Sequence, residues 1–299
     1  MSVAGKIHDA AIVGGGPAGV SCAIWLAGLG LSAVVLEAAG APGGLCLGNP
    51  FPEKWNATLP GLTGDQVADN LALSLREADV PVLLNCKVDQ VAHAGEHFRI
   101  HGRAMEQPLS ARFVVLASGV RPRGLSDAAA GQRYDGVLVG PGQHVVEQDF
   151  RGKRVAVLGG GDNAYENALY AIEHGAQHVK LHARNVRAQH QFQRSLPAAH
   201  VHVGPYRANP VARTVDGQPY DLILVFYGWD PRAEFAESLN LQRGARGFIA
   251  TDMLTAQTSC PGVYAIGEVA QRQHPCVVTA MADGVTAAKA IQARIEAGA

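Results

Sequence analysis

The chain has 299 residues, 47% of them hydrophobic, with 25 Lys and Arg against 26 Asp and Glu for a formal net charge of −1. Its 35 glycines exceed the usual ~7% share, but no Gly-X-Y period accompanies them. The apolar content excludes a disordered or collagen-like chain, and near-neutrality removes any global pull toward nucleic acid or membrane. At about 100–200 residues per domain the length suggests two domains.

Met1 to His8 lacks the charged-then-apolar pattern of a signal peptide, and no run approaches 18 apolar residues, so a soluble cytoplasmic protein is expected. Cys22, Cys46, Cys86, Cys260 and Cys276 are odd in number, and no two lie closer than 16 residues. That spacing fits neither a disulfide framework nor a zinc knuckle, and no metal site is expected.

The first informative segment is Asp9-Ala10-Ala11-Ile12-Val13 running into Gly14-Gly15-Gly16-Pro17-Ala18-Gly19, followed by a helical pattern and by Leu31-Ser32-Ala33-Val34-Val35-Leu36-Glu37. It reads as strand, glycine turn, helix, strand. The glycines suit a turn whose backbone must approach a pyrophosphate, and the helix start supplies free N–H groups. Glu37, 23 residues after Gly14, stands where an acid accepts hydrogen bonds from a ribose diol. Further on, Phe113-Val114-Val115-Leu116-Ala117-Ser118-Gly119 reads as an apolar strand ending in a small-residue turn, and Val120 to Gly124 as a linker.

Lys153 to Leu158 followed by Gly159-Gly160-Gly161-Asp162-Asn163-Ala164, a helix, and Val179 to His182 repeats the first unit at an offset of 145. The acid position is here His182, with Arg184 and Arg187 after it. An acid would repel a 2′-phosphate; its absence beside two arginines favours NADP over NAD. From His174 to Val215 there is no Asp or Glu, while Lys180, Arg184, Arg187, Arg194, Arg207 and Arg213 supply six positive charges, so a basic middle domain is expected. His200 and His202 form an HxH pair with no carboxylate or cysteine nearby in sequence. Gly244 to Gly247 reads as a return linker, Gly262 to Glu268 as a strand and turn, and about Val277 to Ala297 as a long helix. The expected divisions are therefore 1–119 and 247–299 for an outer domain, with 120–246 inserted in it.

Two dinucleotide units, the first split around the second and closing on Gly262-Val263-Tyr264-Ala265-Ile266-Gly267-Glu268, resemble the low-molecular-weight thioredoxin reductase family and its relatives, the thioredoxin-reductase-like ferredoxin:NADP reductases. The resemblance covers nearly the whole chain. It implies an α/β fold of two Rossmann-like domains, FAD on the outer one, NADPH on the inner one, and a homodimer. Gly14, Gly16, Pro17, Ala18 and Gly19 would hold the FAD pyrophosphate and Glu37 the adenosine ribose. Gly43-Gly44 resembles the family's Gly-Gly-Gln turn beside the flavin, with Leu45 in place of the glutamine and Cys46 next. Val88, on an expected strand from Val82 to Val91, resembles the residue whose backbone meets the adenine, and Ser118-Gly119 closes the same site. Gly267-Glu268 stands where the family has Gly-Asp on the ribityl chain, and Cys276-Val277 opens the helix aimed at the pyrimidine end of the flavin. On the inner domain the resemblance implies Gly159, Gly161, Asp162, Asn163 and Ala164 at the nucleotide pyrophosphate, and Arg184 and Arg187 at the 2′-phosphate.

Phe51-Pro52-Glu53-Lys54 is similar to the aromatic-Pro-Glu-Lys stretch of the ferredoxin:NADP reductase branch, where the ring stacks on the flavin; the alternative is an ordinary packed phenylalanine. That branch carries a C-terminal extension over the other flavin face, and this sequence ends soon after its last helix, so a more open flavin is expected. Thioredoxin reductases carry Cys-x-x-Cys before the inner fingerprint, and Gly142-Gln143-His144-Val145 lies at about that place. Relay of electrons through such a dithiol is therefore excluded. Three readings stay open: an NADPH (or NADH) oxidoreductase passing electrons from flavin to an acidic carrier such as ferredoxin or flavodoxin, a disulfide reductase using Cys46 and Cys276, and a flavin-binding redox sensor that reacts little with NAD(P)H.

Overall fold

The fold is taken from a computed structural model, which describes residues 6–125 and 132–298. The chain divides into two compact units, Met1–Val120 with Pro231–Ala299, and Arg121–Asp230. The outgoing crossing lies between Val120 and Arg121. The return crossing lies 16 residues before the expected 246/247 boundary, because Ala233, Ala236 and Leu239 are buried in the outer unit's core rather than in the inner one.

The outer unit opens with β1 (Ile7–Val13), α1 (Pro17–Gly28) and β2 (Ala33–Leu36), then α2 (Gly64–Glu77), β3 (Val82–Leu83), β4 (Val88–Ala94), β5 (His97–Gly102) and β6 (Leu109–Leu116). The sheet order is β3-β2-β1-β6-β5-β4. Alternation along β1 sends Ala10 and Ile12 into one core and Ala11 and Val13 into another, so the sheet is buried on both faces, as parallel strands require. The expected continuous strand from Val82 to Val91 does not form. Asn85, at φ 55°, turns the chain, and β3 and β4 end on opposite edges of the sheet. α2 starts on a reciprocal cap: Thr63 Oγ1 accepts from Gln66 N–H, and Thr63 N–H donates to Gln66 Oε1 at 2.9 Å.

The inner unit comprises β7 (Val120–Pro122) at its entry, β8 (Val137–Val139), α3 (Gln143–Val146), β9 (Arg154–Leu158), α4 (Asp162–Glu173), β10 (His178–Ala183), α5 (His190–Ser195) and β11 (Val201–Val203). A small antiparallel meander follows, β12 (Ala208–Asn209), β13 (Thr214–Val215) and β14 (Gln218–Pro219), then β15 (Leu222–Val225) and β16 (Trp229–Pro231). Its parallel sheet runs β11-β10-β9-β15-β8. The β13–β14 hairpin turns on Asp216-Gly217, at φ 48° and 77°, as a two-residue loop with both central residues left-handed demands.

The chain then completes the outer unit with β17 (Val263–Ala265), parallel to the C-terminal half of β6, and α6 (Val277–Glu296). α6 crosses α1 so closely that a Cβ on Gly284 would lie 2.5 Å from the Ala18 carbonyl oxygen and 2.7 Å from the Cys22 nitrogen. Ser21 Oγ donates to the Met281 carbonyl at 2.8 Å across the same crossing. Gly284→Val should therefore lower stability by about 1–3 kcal/mol. Thermal denaturation checks this, and an unchanged midpoint contradicts the tight crossing.

Candidate functional site

β1 delivers the outer glycine turn with its backbone pressed against β6. A Cβ on Gly14, at φ 111°, would meet the Ala117 carbonyl oxygen at 2.4 Å, and one on Gly19 would meet the Gly14 carbonyl oxygen at 2.0 Å. Only glycine fits at either position. By contrast, a Cβ on Gly16 would meet nothing nearer than Gly44 Cα at 3.7 Å. Gly16 is the N-cap of α1, with Pro17 at its first turn and no side-chain cap bond, so the helix-start N–H groups of Ala18 and Gly19 are left for an anion. Glu37 lies against this turn: Oε2 accepts from Gly15 N–H at 2.6 Å and Oε1 from Ala39 N–H at 2.7 Å. A carboxylate offers about four acceptor sites, so two remain for a diol. Cys86 N–H donates to the Glu37 carbonyl at 2.8 Å, which brings Val88, buried two residues later, to the same end of the sheet.

The second glycine turn closes on the first. Gly43 N–H donates to the Gly15 carbonyl at 2.8 Å, and a Cβ on Gly44 would come 3.0 Å from Gly16 Cα. Leu45 is half exposed and brings no polar group, whereas Cys46 is buried. Burial, with Glu53, Glu268 and Asp65 adding negative charge, pushes the Cys46 thiol up to about 12. Phe51 is exposed on the loop that leads to α2. Ser118 Oγ donates to the Arg232 carbonyl, and Gly119, at φ 64°, has nothing within 4 Å of a hypothetical Cβ.

At the start of α6 lies an open cleft lined by Glu268, Gln271, Arg272, Pro275, Cys276 and Thr279. Gly267, at φ 66°, sits against α1, since a Cβ there would meet Ala18 Cβ at 2.9 Å. Two residues missed by sequence reasoning hold this turn. Asp283 Oδ2 accepts from Gly267 N–H at 3.1 Å, and its Oδ1 accepts from Arg272 Nη1 at 2.6 Å in an ion pair whose side chains are only 3% and 6% exposed. Burial pushes the Asp283 carboxyl up, while Arg272 and the Gly267 N–H pull it back. The Arg-to-Asp spacing of 11 residues across a loop and a helix carries no pattern that sequence reading could catch.

The polar groups facing this cleft await partners. Gln271 Oε1 is buried with no hydrogen-bond partner, and burial raises the Glu268 carboxyl. An orphaned amide oxygen and a desolvated carboxyl facing one cleft fit a chain of hydroxyls, and the outer unit thus suits FAD. Cys276 is the N-cap of α6, its Sγ 3.3 Å from Thr279 Oγ1, with Val277 the first helical residue.

In the inner unit a Cβ on Gly159 would lie 2.4 Å from the Phe226 carbonyl oxygen, and one on Gly160 would lie 1.9 Å from the Asn185 carbonyl oxygen. Gly160's own carbonyl accepts from Arg187 N–H at 2.6 Å and Ala188 N–H at 2.9 Å, fastening the arginine loop to the turn. Gly161 caps α4 without a side-chain bond and has nothing within 4 Å of a hypothetical Cβ, so the approach to the helix start is clear, although the Ala164 N–H already donates to the Gly161 carbonyl at 3.0 Å. Asp162 instead turns sideways, accepting from Gln189 N–H at 2.7 Å and Gln189 Nε2 at 2.9 Å. Asn163 gives its carbonyl to Asn167 Nδ2. Arg184 and Arg187 are exposed, as a phosphate clamp must be. These features fit a phosphorylated dinucleotide, with Asp162 as the one acid at its edge.

His182 does not face that nucleotide. It is buried, in register with His202 on the neighbouring strand, and its Nε2 lies 3.3 Å from Tyr220 Oη. Burial, with His202 beside it, pulls His182 down to about 4, so the ring is neutral at pH 7. The expectation of a basic inner domain is corrected: residues 121–230 carry twelve Lys and Arg against ten Asp and Glu, a net of +2. Arg213 is moreover paired with Asp135 at 3.0 Å. The basic character is a run in sequence, residues 174–215, with acids to either side, of which Asp135 pairs with Arg213 and Asp216 accepts from Arg207 N–H. At the position expected for a dithiol, α3 is a single turn with Val145 buried and no cysteine.

A family model described as "Pyridine nucleotide-disulphide oxidoreductase" matches residues 8–284. Among curated relatives, a ferredoxin–NADP reductase of Limosilactobacillus fermentum is 31% identical over 291 residues, covering 87% of this chain and 85% of its own. A thioredoxin reductase of Bacillus subtilis is 24% identical over 323 residues, covering 97% and 96%. Among solved structures, the thioredoxin reductase of Lactococcus lactis superimposes with a TM-score of 0.81 at 25% identity, over 97% of this chain and 99% of that one.

The cysteine environments lead to a chemical test. Cys22 and Cys46 are both buried and both pushed up to about 12 by burial. Since the thiolate is the reactive form, brief iodoacetamide treatment of the folded protein at pH 7.5 should leave both unmodified. Peptide mass spectrometry reads the result, and alkylation of Cys46 at the rate of a free cysteine contradicts it.

Proposed function

The chain belongs to the pyridine nucleotide-disulphide oxidoreductase family, and from that premise we propose that it is an FAD-dependent oxidoreductase that draws a hydride from NAD(P)H and passes electrons from flavin directly to an external acceptor. The observation that carries this reading is the coexistence of two glycine cradles, one in each unit, with an α3 turn that bears no dithiol. Bound FAD supplies the hydride and single-electron chemistry.

The protein's own groups bind and orient. The α1 start, Gly14 to Gly19, offers N–H groups to the FAD pyrophosphate, and the two remaining acceptor sites of Glu37 take the ribose diol. Val88, Ser118 and Gly119 border the adenine and the closing turn. Glu268 and Gln271 receive the ribityl hydroxyls, and Phe51 covers one flavin face. Gly44, Leu45 and Cys46 form the wall beside it. The N-terminus of α6, at Cys276 and Val277, puts a partial positive charge where negative charge accumulates on the reduced ring. In the inner unit Gly159, Gly161 and the α4 start take the nucleotide pyrophosphate. Arg184 and Arg187 take a 2′-phosphate, which selects NADPH over NADH.

The acceptor in this reading is an acidic one-electron carrier, ferredoxin or flavodoxin, steered by the basic strip around Lys180, Arg194 and Arg207. The relatives named ferredoxin–NADP reductase support that choice. The enzyme works as a homodimer, on the family resemblance, in the cytoplasm, where five free cysteines persist as thiols. Among the described residues no helix is long and apolar enough to cross a membrane. Disulfide exchange through Cys46 is disfavoured by the burial that keeps its sulfur protonated. The acid at the α4 start favours the sensor reading, since Asp162 repels the pyrophosphate that the same helix start would receive.

Anaerobic mixing with NADPH, NADH and reduced ferredoxin in parallel separates these readings. Rapid bleaching of the flavin band by NADPH is expected, followed, on adding oxidised ferredoxin, by its reduction at a rate that falls as salt rises. Bleaching that takes many minutes with NADPH favours the sensor. Arg184→Ala should raise KM for NADPH roughly 10- to 100-fold, the worth of a charged hydrogen bond, and leave KM for NADH unchanged. Parallel movement of both KM values contradicts the 2′-phosphate assignment.

A further inference from the structure

The inner unit contains a side-chain cluster that the redox chemistry does not use. His182 lies one residue before the end of β10 and His202 sits in β11, and the two are paired in register on adjacent parallel strands, so both rings project from one face. Their centroids are 5.6 Å apart. The β13–β14 hairpin brings Asp216 over that face. One ligand-type atom from each of His182, His202 and Asp216 lies within 4.8 Å of the other two. The carboxylate is one residue beyond the acid-free window, which is why the sequence shows only an HxH pair. His200, the other half of that pair, turns away and donates Nδ1–H to the Val179 carbonyl at 2.9 Å.

Three features mark the cluster as built to receive something. His182 Nδ1 and His202 Nε2 are both buried without a hydrogen-bond partner, and His182 as a whole is only 6% exposed. A buried polar group left without a partner is costly, so two such ring nitrogens in a cluster whose ligand-type atoms lie within 4.8 Å of one another call for an occupant. Each arm is also held from behind. Tyr220 Oη lies 3.3 Å from His182 Nε2, and Asp216 Oδ1 accepts from Arg207 N–H at 2.8 Å. Support of that kind fixes tautomer and aim in metal sites. Finally, an apolar floor of Val215, Tyr220 and Ile223 underlies the hairpin, excluding water from one side.

We propose that His182, His202 and Asp216 form a mononuclear site for a divalent transition-metal ion of the zinc type. Two imidazoles and one carboxylate satisfy the ligand preference of such an ion and leave a position for water. Calcium and magnesium want six or more oxygens and find one carboxylate here. The site ties together β10, β11 and the meander, all within the inner unit, two residues before Arg184. A bound ion therefore stiffens the strand end from which the arginine loop departs.

The test uses the FAD-loaded full chain, stripped with a chelator and dialysed against ZnCl2 or MgCl2. Elemental analysis should find about one zinc per chain and no retained magnesium, and zinc should raise the melting midpoint. Zinc affinity should fall tenfold or more in His202→Ala and in Asp216→Asn. Asp216 is exposed at a hairpin tip, so its variant tests the site even if the histidine variant folds poorly. Wild-type protein that retains less than a tenth of a zinc per chain overturns the proposal. So does zinc uptake that both variants leave unchanged, which assigns the metal to cysteine thiolates elsewhere.

Discussion

The close approach of backbone to backbone at the two glycine turns is the constraint on which everything else rests. At Gly19 and Gly160 a single added carbon would fall about 2 Å from a carbonyl oxygen. The Gly19 contact seats α1 against its turn and the Gly160 contact seats the loop after β10, and beside each an open glycine stands at a helix start, Gly16 in one unit and Gly161 in the other. Packing and anion cradle thus meet at the same turn. Hydrophobic burial on both faces of each sheet then holds the turns in place, since neither turn has side chains with which to hold itself.

The outer unit adds a second layer of control through α6. Its crossing with α1 at Gly284 places the Gly267 turn, and the buried Arg272–Asp283 pair fixes that turn from beneath. Removing one partner of a buried pair strands a charge at a cost of about 3–5 kcal/mol, so the pair ties the geometry of the cleft to the stability of the unit. Glu268, one methylene longer than the family's aspartate, occupies the same cleft with its carboxyl desolvated. Gln271 offers a second acceptor there.

The chemistry divides accordingly. A cysteine held as a thiol by burial, and a helical turn in place of a dithiol, agree with the proposed direct passage of electrons from flavin to acceptor. The proposed role of the inner unit is nucleotide selection through its exposed arginines, and its charge is local: +2 over the whole unit, with six of its twelve positive side chains in residues 174–215, where no acid falls. A local strip steers only over about a Debye length, which suits a transient carrier.

Much of this was legible from residue order alone. Glycine turns between apolar strands and helices announce a dinucleotide fold because backbone conformation there is a local matter, decided by the missing Cβ. The split of one unit around another follows from the two fingerprints and the closing strand. Tertiary structure alone decided what depends on residues far apart in the chain. Packing of Ala236 and Leu239 moved the return boundary, and a left-handed Asn85 broke the strand expected to carry Val88 into two. Arg272 reached Asp283 only through the fold of a loop onto a helix. His182, His202 and Asp216 share a face because parallel strands pair in register and a hairpin folds back over them. Local conformation is written in the identity of neighbouring residues, whereas a side-chain cluster is set by which elements the core brings together.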